Sequence, residues 1–374
     1  MNTTIRNNKR SIIIFTFVCM FLTGAYICFH LHRLMEHSSF LASLGSLWLF
    51  AGVLAGLLLL AALTKRGLLL GYFIYLGGIF AVLDVTQFVL RLFAQQSMLV
   101  HFFSGLGGAA SPVVLAWFPS IYGRYNAKRV RVAHYHVPSV RFEKAGQSLR
   151  VVMFSDMHLG AGVDACDVDQ IVSQVQAQNP DIILLCGDIF EEQTTSAEYA
   201  AALKAFRGLS APKGVYYVPG NHEYVARRHD EKSMRMLEDD LLRAGIKTLR
   251  DKAQLIDGAF YLIGRDDKTC GARRPLNELL ADVEQDLPVI MMGHRPLELK
   301  QAACAGVDVQ FSGHTHAGQL LNLGKLGERL SKSEMMYGLR KDGNYHSIVS
   351  SGVGTWVFPM RLGSPSEIVV ADIA

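Results

Sequence analysis

The 374-residue chain lacks what a disulfide-built secreted protein needs. Its six cysteines, Cys19, Cys28, Cys166, Cys186, Cys270 and Cys304, are scattered, with no CxxC pair and no framework spacing. They read as reduced thiols or as small buried apolar residues. Charge of one sign is also scarce: the formal net charge is only +4, which does not by itself argue for nucleic acid. The basic stretch Arg124–Arg131 has no aromatic stacking platform beside it, so a juxtamembrane contact with anionic headgroups is preferred to a nucleic-acid patch. No internal repeat and no low-complexity tract is present. No small-residue cleavage site precedes His30-Leu31-His32-Arg33, and Lys9-Arg10 is not a twin-arginine pair, so the charged front and first apolar run do not read as an export signal.

What the chain does have is apolar sequence. Hydrophobic residues make up 50% of it and the mean hydropathy is +0.21. The excess sits in the first third, in runs of about 11–29, 40–63, 67–90 and 98–122, each near or above the roughly 20 residues that cross a bilayer. Four transmembrane helices are therefore expected. Nine Lys and Arg (Arg6, Lys9, Arg10, Lys65, Arg66, Arg124, Lys128, Arg129, Arg131) fall on one side of these runs and two (Arg33, Arg91) on the other. The bias predicts a multi-pass inner-membrane protein with both ends in the cytoplasm. Gly52 and Gly56, and Gly105, Gly107 and Gly108, suit close helix packing or simply face lipid. Asp84 reads as an interfacial residue and Pro112 as a kink.

From Gln147 onward short apolar strands alternate with amphipathic segments, the pattern of an α/β layered domain. Strands are expected at Leu149–Phe154, Ile182–Cys186, Val215–Val218, Phe260–Ile263, Val289–Met292, Val307–Phe311, Ser347–Ser350 and Glu367–Ala371. Helices are expected at Asp167–Gln178, Ser196–Leu209, Glu231–Ala244 and Leu276–Val283.

Five strand ends carry chemistry. They are Asp156-x-His158, Gly187-Asp188, Gly220-Asn221-His222-Glu223, Gly293-His294, and Gly313-His314-Thr315-His316. In extended chain, residues two apart point the same way, which predicts Asp156 and His158 on one face. Glycine before the polar residue permits a sharp turn and close approach to a ligand. Imidazole and carboxylate without thiolate suit a pair of zinc, iron or manganese ions, with Asp188 able to bridge them. Such a pair would leave a net positive pocket for phosphate, with His222 placed to protonate the leaving oxygen.

The ordered set D-x-H, G-D, G-N-H-E, G-H, G-H-x-H closely resembles the calcineurin-like metallophosphoesterase family, from about Leu149 to Ile373. Gly264-Arg265-Asp266-Asp267, His316-Ala317-Gly318-Gln319 and Gly352-Val353-Gly354 with Pro359-Met360-Arg361 resemble its membrane-tethered branch, although Ala317 stands where glycine is commoner. The resemblance implies a β-sandwich of two mixed sheets flanked by helices over 132–374, preceded by the four-helix region at 1–131. It implies one metal on Asp156, His158 and His316, a second on Asn221, His294 and His314, Asp188 bridging, and His222 as acid. The expected activity is hydrolysis of a phosphate ester or pyrophosphate by a metal-activated hydroxide, on a lipid or lipid-linked substrate near membrane lipids. The competing readings are a nucleotide phosphodiesterase or nuclease, and a non-catalytic membrane scaffold with a relic site. Arg295 and Arg361 read equally as phosphate contacts or structural ion pairs, Glu223 as a cap in preference to a hydrogen bond to a ligand, and His134 and His136 as surface residues.

Overall fold

Runs such as Ile182–Cys186 offer no polar residue to either face, so they are stable only in a sheet covered on both sides. The computed structural model describes residues 26, 77–82, 84, 85, 115, 117–281, 283, 284, 286–321 and 324–374. The chain divides into two units, Met1–Arg124 and Tyr125–Ala374.

The second unit holds twelve strands among its described residues: β1 (Val130–Val137), β2 (Leu149–Phe154), β3 (Ile182–Cys186), β4 (Val215–Val218), β5 (Ile246–Thr248), β6 (Lys252–Ile256), β7 (Phe260–Arg265), β8 (Val289–Gly293), β9 (Val309–Ser312), β10 (Gly338–Asp342), β11 (Tyr345–Val349) and β12 (Ser366–Ile373). The helices used below are α1 (Trp117–Lys128), α2 (Val140–Lys144), α3 (Val168–Gln176), α4 (Ser196–Phe206), α5 (Asn221–Ala226), α6 (Glu231–Arg243), α7 (Leu276–Leu279), α8 (Leu299–Cys304) and α9 (Lys325–Ser331).

The strands form two mixed six-stranded sheets, ordered β1-β12-β2-β3-β4-β5 and β10-β11-β9-β8-β7-β6. Strands β2 to β5 run parallel, as do β7, β8, β9 and β11, and antiparallel pairs close the sheets at β12–β2, β10–β11 and β6–β7. Alternate side chains face opposite ways, and both faces are apolar. Val151, Met153, Leu184 and Val218 pack between the sheets against Leu262, Ile290, Met292 and Phe311. Val152, Phe154 and Leu185 face outward onto Val175 of α3, Phe206 of α4 and Leu237 of α6. Ile263 and Met291 cover the other outer face with Leu279 of α7 and Leu299 of α8. Each such fully buried side chain stabilises the fold by about 1.5–3 kcal/mol. The layering brings the carboxyl ends of β2, β3, β4, β8 and β9 to one edge, the usual place for a ligand in such sheets.

The four-helix membrane region and the multi-pass inner-membrane location do not stand. Among the described residues, no helix is long and apolar enough to cross a membrane. Helix α1, which takes up the end of the expected 98–122 span, has 12 residues and carries Arg124, Asn126 and Lys128. At 1.5 Å per residue it reaches about 18 Å, short of the roughly 30 Å hydrocarbon core. The rest of the four runs lies outside the described residues, save for 26, 77–82, 84, 85 and 115, as do Gly52, Gly56, Gly105, Gly107, Gly108 and Pro112. Of the residues singled out there, Asp84 is described, and it accepts a hydrogen bond from Tyr26 Oη at 2.5 Å.

The basic stretch that follows is part of the fold. Arg131 lies in β1, which pairs in parallel with β12. Its guanidinium donates to Asn126 Oδ1 at 3.0 Å, and Asn126 Nδ2 in turn donates to the carbonyls of Arg361 and Ser364.

Candidate metal centre

The loops at this edge hold their polar residues in an unusual backbone conformation. Asp156, His158, Asp188, His314 and His316 all have positive φ, between 47° and 73°. Asp156 and His158 therefore do not share a face through extended-chain alternation, as their spacing had suggested. Two left-handed residues, one either side of Met157, turn them inward instead. Such conformations cost of order 1–3 kcal/mol each and persist only where surrounding contacts hold them. Here the contacts are backbone hydrogen bonds between loops: Asp156 N to Gly187 O and His158 N to Asp188 O, both at 3.0 Å. Ala317 also has positive φ, at 50°. That explains why glycine is the easier residue at this position.

Gly220 and Gly313 are required by close approach. A Cβ at Gly220 would collide with Asp188 Oδ1, and one at Gly313 with Asp156 Oδ2 and Ser155 Oγ. Only bare backbone lets these loops pass each other.

All eight residues singled out from the sequence lie at this edge. Asp156, His158 and His316 bring ligand atoms within 4.8 Å of one another, and so do Asp188, His294 and His314. His158 Nε2 and His316 Nε2 stand 3.0 Å apart, and His316 Nε2 is 3.7 Å from Asp156 Oδ1. In the second group His294 Nε2 is 3.0 Å from Asp188 Oδ2 and 3.1 Å from His314 Nδ1. Asp188 Oδ1 accepts the backbone N–H of His222 at 2.8 Å. Asn221 and His222 line the same cavity as Asp188, His158, His314 and His316. The Oδ1 atom of Asn221 is buried and makes no hydrogen bond. A buried acceptor left bare in this way fits a cation, as does a nest of imidazoles with too few protons to share.

The outer contacts orient the rings for that use. His294 Nδ1 meets the Cys186 carbonyl at 2.9 Å, and His158 Nδ1 meets Glu191 Oε1 at 2.6 Å. Each contact takes up Nδ1 and points Nε2 toward the centre. Arg361 Nη2 lies 3.2 Å from His316 Nδ1. Burial, with the like charges of His158 and Arg361, holds His316 neutral, well below the usual imidazole range. Burial and the charge of His294 do the same for His314.

His222 and His294 are shifted the other way. Burial works against the charged ring of His222, but its hydrogen bond to Glu191 and the charge of Asp188 outweigh it and raise the pKa to about 9. For His294 burial is outweighed by Asp188, which raises it to about 10. Glu191 is opposed by burial too, yet its two histidine partners pull it down to about 2. Its Oε1 is 2.9 Å from His222 Nδ1, which leaves Nε2 of that ring toward the cavity, 3.9 Å from Asp188 Oδ2.

Glu191 was not singled out from the sequence. Its signal was there: it follows Asp188 by three residues in Gly187-Asp188-Ile189-Phe190-Glu191. Glu223 is structural, as read. Its buried carboxylate accepts the backbone N–H groups of Asp188, Ile189, Phe190 and Gly220 and so pins the Asp188 loop. Arg295 is paired with Asp267 at 3.0 Å. Arg361 is fully buried and donates to the carbonyls of Ser351, Gly352, Gly354 and Pro365. It is a clamp under His316 rather than a phosphate contact. His134 and His136 are exposed on β1.

The profile of the calcineurin-like phosphoesterase family matches residues 149–318. A metallophosphoesterase of Aquifex aeolicus is 33% identical over 259 residues, covering 67% of this chain and 95% of the relative. A metallophosphoesterase of Helicobacter pylori is 29% identical over 235 residues, 61% of this chain and 60% of that one. A protein of Danio rerio described as a transmembrane protein with metallophosphoesterase domain is 30% identical over 275 residues, 67% of this chain and 59% of that one. The chain thus spans nearly all of the first relative and about 60% of the other two. Fold and site define a metal-dependent phosphoesterase, and this chain belongs to the calcineurin-like phosphoesterase family.

Proposed function

We propose that the chain hydrolyses a phosphate ester or pyrophosphate at a centre of two divalent ions. Asp156, His158 and His316 would hold one ion, Asn221, His294 and His314 the other, with Asp188 between them. The donor set of imidazole, carboxylate and one amide suits manganese, iron or zinc. When bound, such ions activate water and neutralise charge on the phosphoryl oxygens. The remaining work falls to the chain. Asp188 stands with His294 and His314 in the second donor group, and Glu223 fixes the loop that carries it. Glu191 keeps His222 protonated and aimed at the cavity, so that Nε2 of His222 can give its proton to the leaving oxygen. The observation that carries this reading is the meeting of two donor groups at one edge, with the bare Asn221 Oδ1 and the charged His222 beside them.

The substrate on this reading is a lipid or lipid-linked compound. The cavity mouth supports that choice over nucleic acid, because exposed apolar side chains, Leu330, Trp356 and Val357, stand there instead of a cationic groove.

The test is turnover of p-nitrophenyl phosphate, its bis-ester and lipid pyrophosphates by the purified full chain with manganese. Asp188→Ala should abolish turnover. His222→Ala should lower kcat by about a hundredfold or more and leave metal content unchanged. A metal-loaded wild-type protein inert toward every ester would favour a non-catalytic scaffold.

A further inference from the structure

The cavity above the donor groups encloses about 470 Å³ and has two apolar walls. Trp356 and Val357 form one, 51% and 52% exposed, and Leu330 of α9 stands in the other, 69% exposed. The Trp356 ring is 6.0 Å from that of His222, edge-on. Large apolar side chains this exposed, next to a catalytic histidine, call for a partner.

The loop that presents them is held under strain. Val357 has φ 63°, a genuine outlier for a β-branched residue. Phe358 N donates to Trp356 O at 2.7 Å across it, closing a tight three-residue turn. Gln319 keeps the turn in place from below. Its Nε2 donates to the carbonyls of Trp356 and Phe358 at 3.0 and 2.8 Å, and its Oε1 accepts Trp356 N at 2.9 Å. The wall is therefore pre-formed.

Three polar side chains of the mouth are committed to the fold. Gln319 uses its whole amide on the turn. Thr315 Oγ1 donates to Met336 O and accepts Ala317 N. Ser331 Oγ donates to Gly327 O. A nucleobase or sugar entering between the walls would find Gln319, Thr315 and Ser331 already engaged, and would set its polar atoms against the apolar side chains of Trp356, Val357 and Leu330.

We infer that this cleft is a subsite for one aliphatic chain of the substrate, with Trp356, Val357 and Leu330 as its specificity-determining residues. The inference rests on the phosphoesterase reading of the floor below and adds a selection rule. Each methylene laid between the walls gains binding until the chain outruns them, and polar groups of similar size gain nothing.

The experiment uses p-nitrophenyl alkyl phosphates with methyl, butyl, octyl and dodecyl chains, below their aggregation limits, and the full chain with manganese. Wild-type kcat/KM should rise about two- to fourfold per added methylene over the first several carbons. The octyl-to-methyl ratio should collapse toward one in Leu330→Ser and in Trp356→Ser. A second arm needs no turnover: n-alkyl phosphates are titrated into metal-free protein while tryptophan emission is followed. The expected result is a blue shift whose half-saturation falls with chain length and which is lost in Trp356→Phe. Equal kcat/KM for all four esters, or a shift that survives Trp356→Phe, overturns the subsite while leaving the phosphoesterase standing. Wild type inert toward every ester sinks the phosphoesterase instead, and the emission arm then decides the subsite alone.

Discussion

Glu191 sits between two histidines that do different work. Its one carboxylate oxygen orients His158, expected to carry a metal, and keeps His222 protonated to about pH 9. An acid is useful only while it holds its proton; the value of about 9 is that of the metal-free protein, and cations drawing on Asp188 oppose the charged ring, so kcat of the loaded enzyme should fall with rising pH at or below that point. In Glu191→Gln the hydrogen bond to a charged acceptor is gone and burial dominates, so the basic limb of the pH–rate profile should move to lower pH. A limb that stays put would show that His222 is not the group titrating.

His294 gives a second pH signature. Without metal its pKa is about 10 because Asp188 favours the charged ring, whereas a metal ligand must be neutral. Loading the centre near pH 7 should release a proton, and metal affinity should climb as pH approaches 10. Calorimetry in buffers of different ionisation enthalpy would read the proton count directly.

At the scale of elements, the loops matter more than the strands they follow. Gly220→Ala should weaken metal binding and destabilise the fold by about 1–3 kcal/mol, since overpacking against backbone and Asp188 has no soft neighbour to move. Calorimetric titration with metal and urea unfolding check the two halves of that statement.

The same scale shows what could be read in advance. Ile182–Cys186 and Val215–Val218 were legible to the residue because wholly apolar runs bounded by Gly-Asp or Pro-Gly leave little choice. The donor residues were legible because each follows such a strand. Strand β1 was not. Its alternating Val130–Val137 carries arginine and histidine beside a basic stretch, and resembles an amphipathic tether until β12 is seen pairing with it. Strand β10, Gly338–Asp342, is mostly polar and exposed at a sheet edge, where no burial pattern marks it. The turn at Val357 was invisible, because valine is the last residue that propensity would put there. Apolar run length misled in the first third: α1 breaks off the expected fourth span with charged residues and a short reach.

Across the whole molecule the centre belongs to both sheets. Asp156, His158, Asp188 and Asn221 come from the sheet containing β2, β3 and β4, and His294, His314 and His316 from the one containing β8 and β9. Ions held here would tie the two sheets together at one edge, binding the folded state and not the unfolded one. At a hundredfold excess over Kd each site adds ~2.7 kcal/mol. With roughly 2–4 °C per kcal/mol for a unit of this size, chelation should lower Tm on the order of 5–10 °C per site. Scanning calorimetry with and without a chelator checks this, and an unchanged Tm would mean that the donors do not bind metal in the folded chain.

The left-handed backbone at five of the donor positions also restricts what can replace them. Aspartate, asparagine and histidine enter that region several times more readily than other side chains bearing a β-carbon. Exchanging Asp156 for glutamate, or His314 for glutamine, would change the dihedral preference along with the donor atom. Redesign of this centre for another ion is thus limited to a three-letter alphabet at those places, and a softer, sulfur-bearing set would first require the loops to be rebuilt.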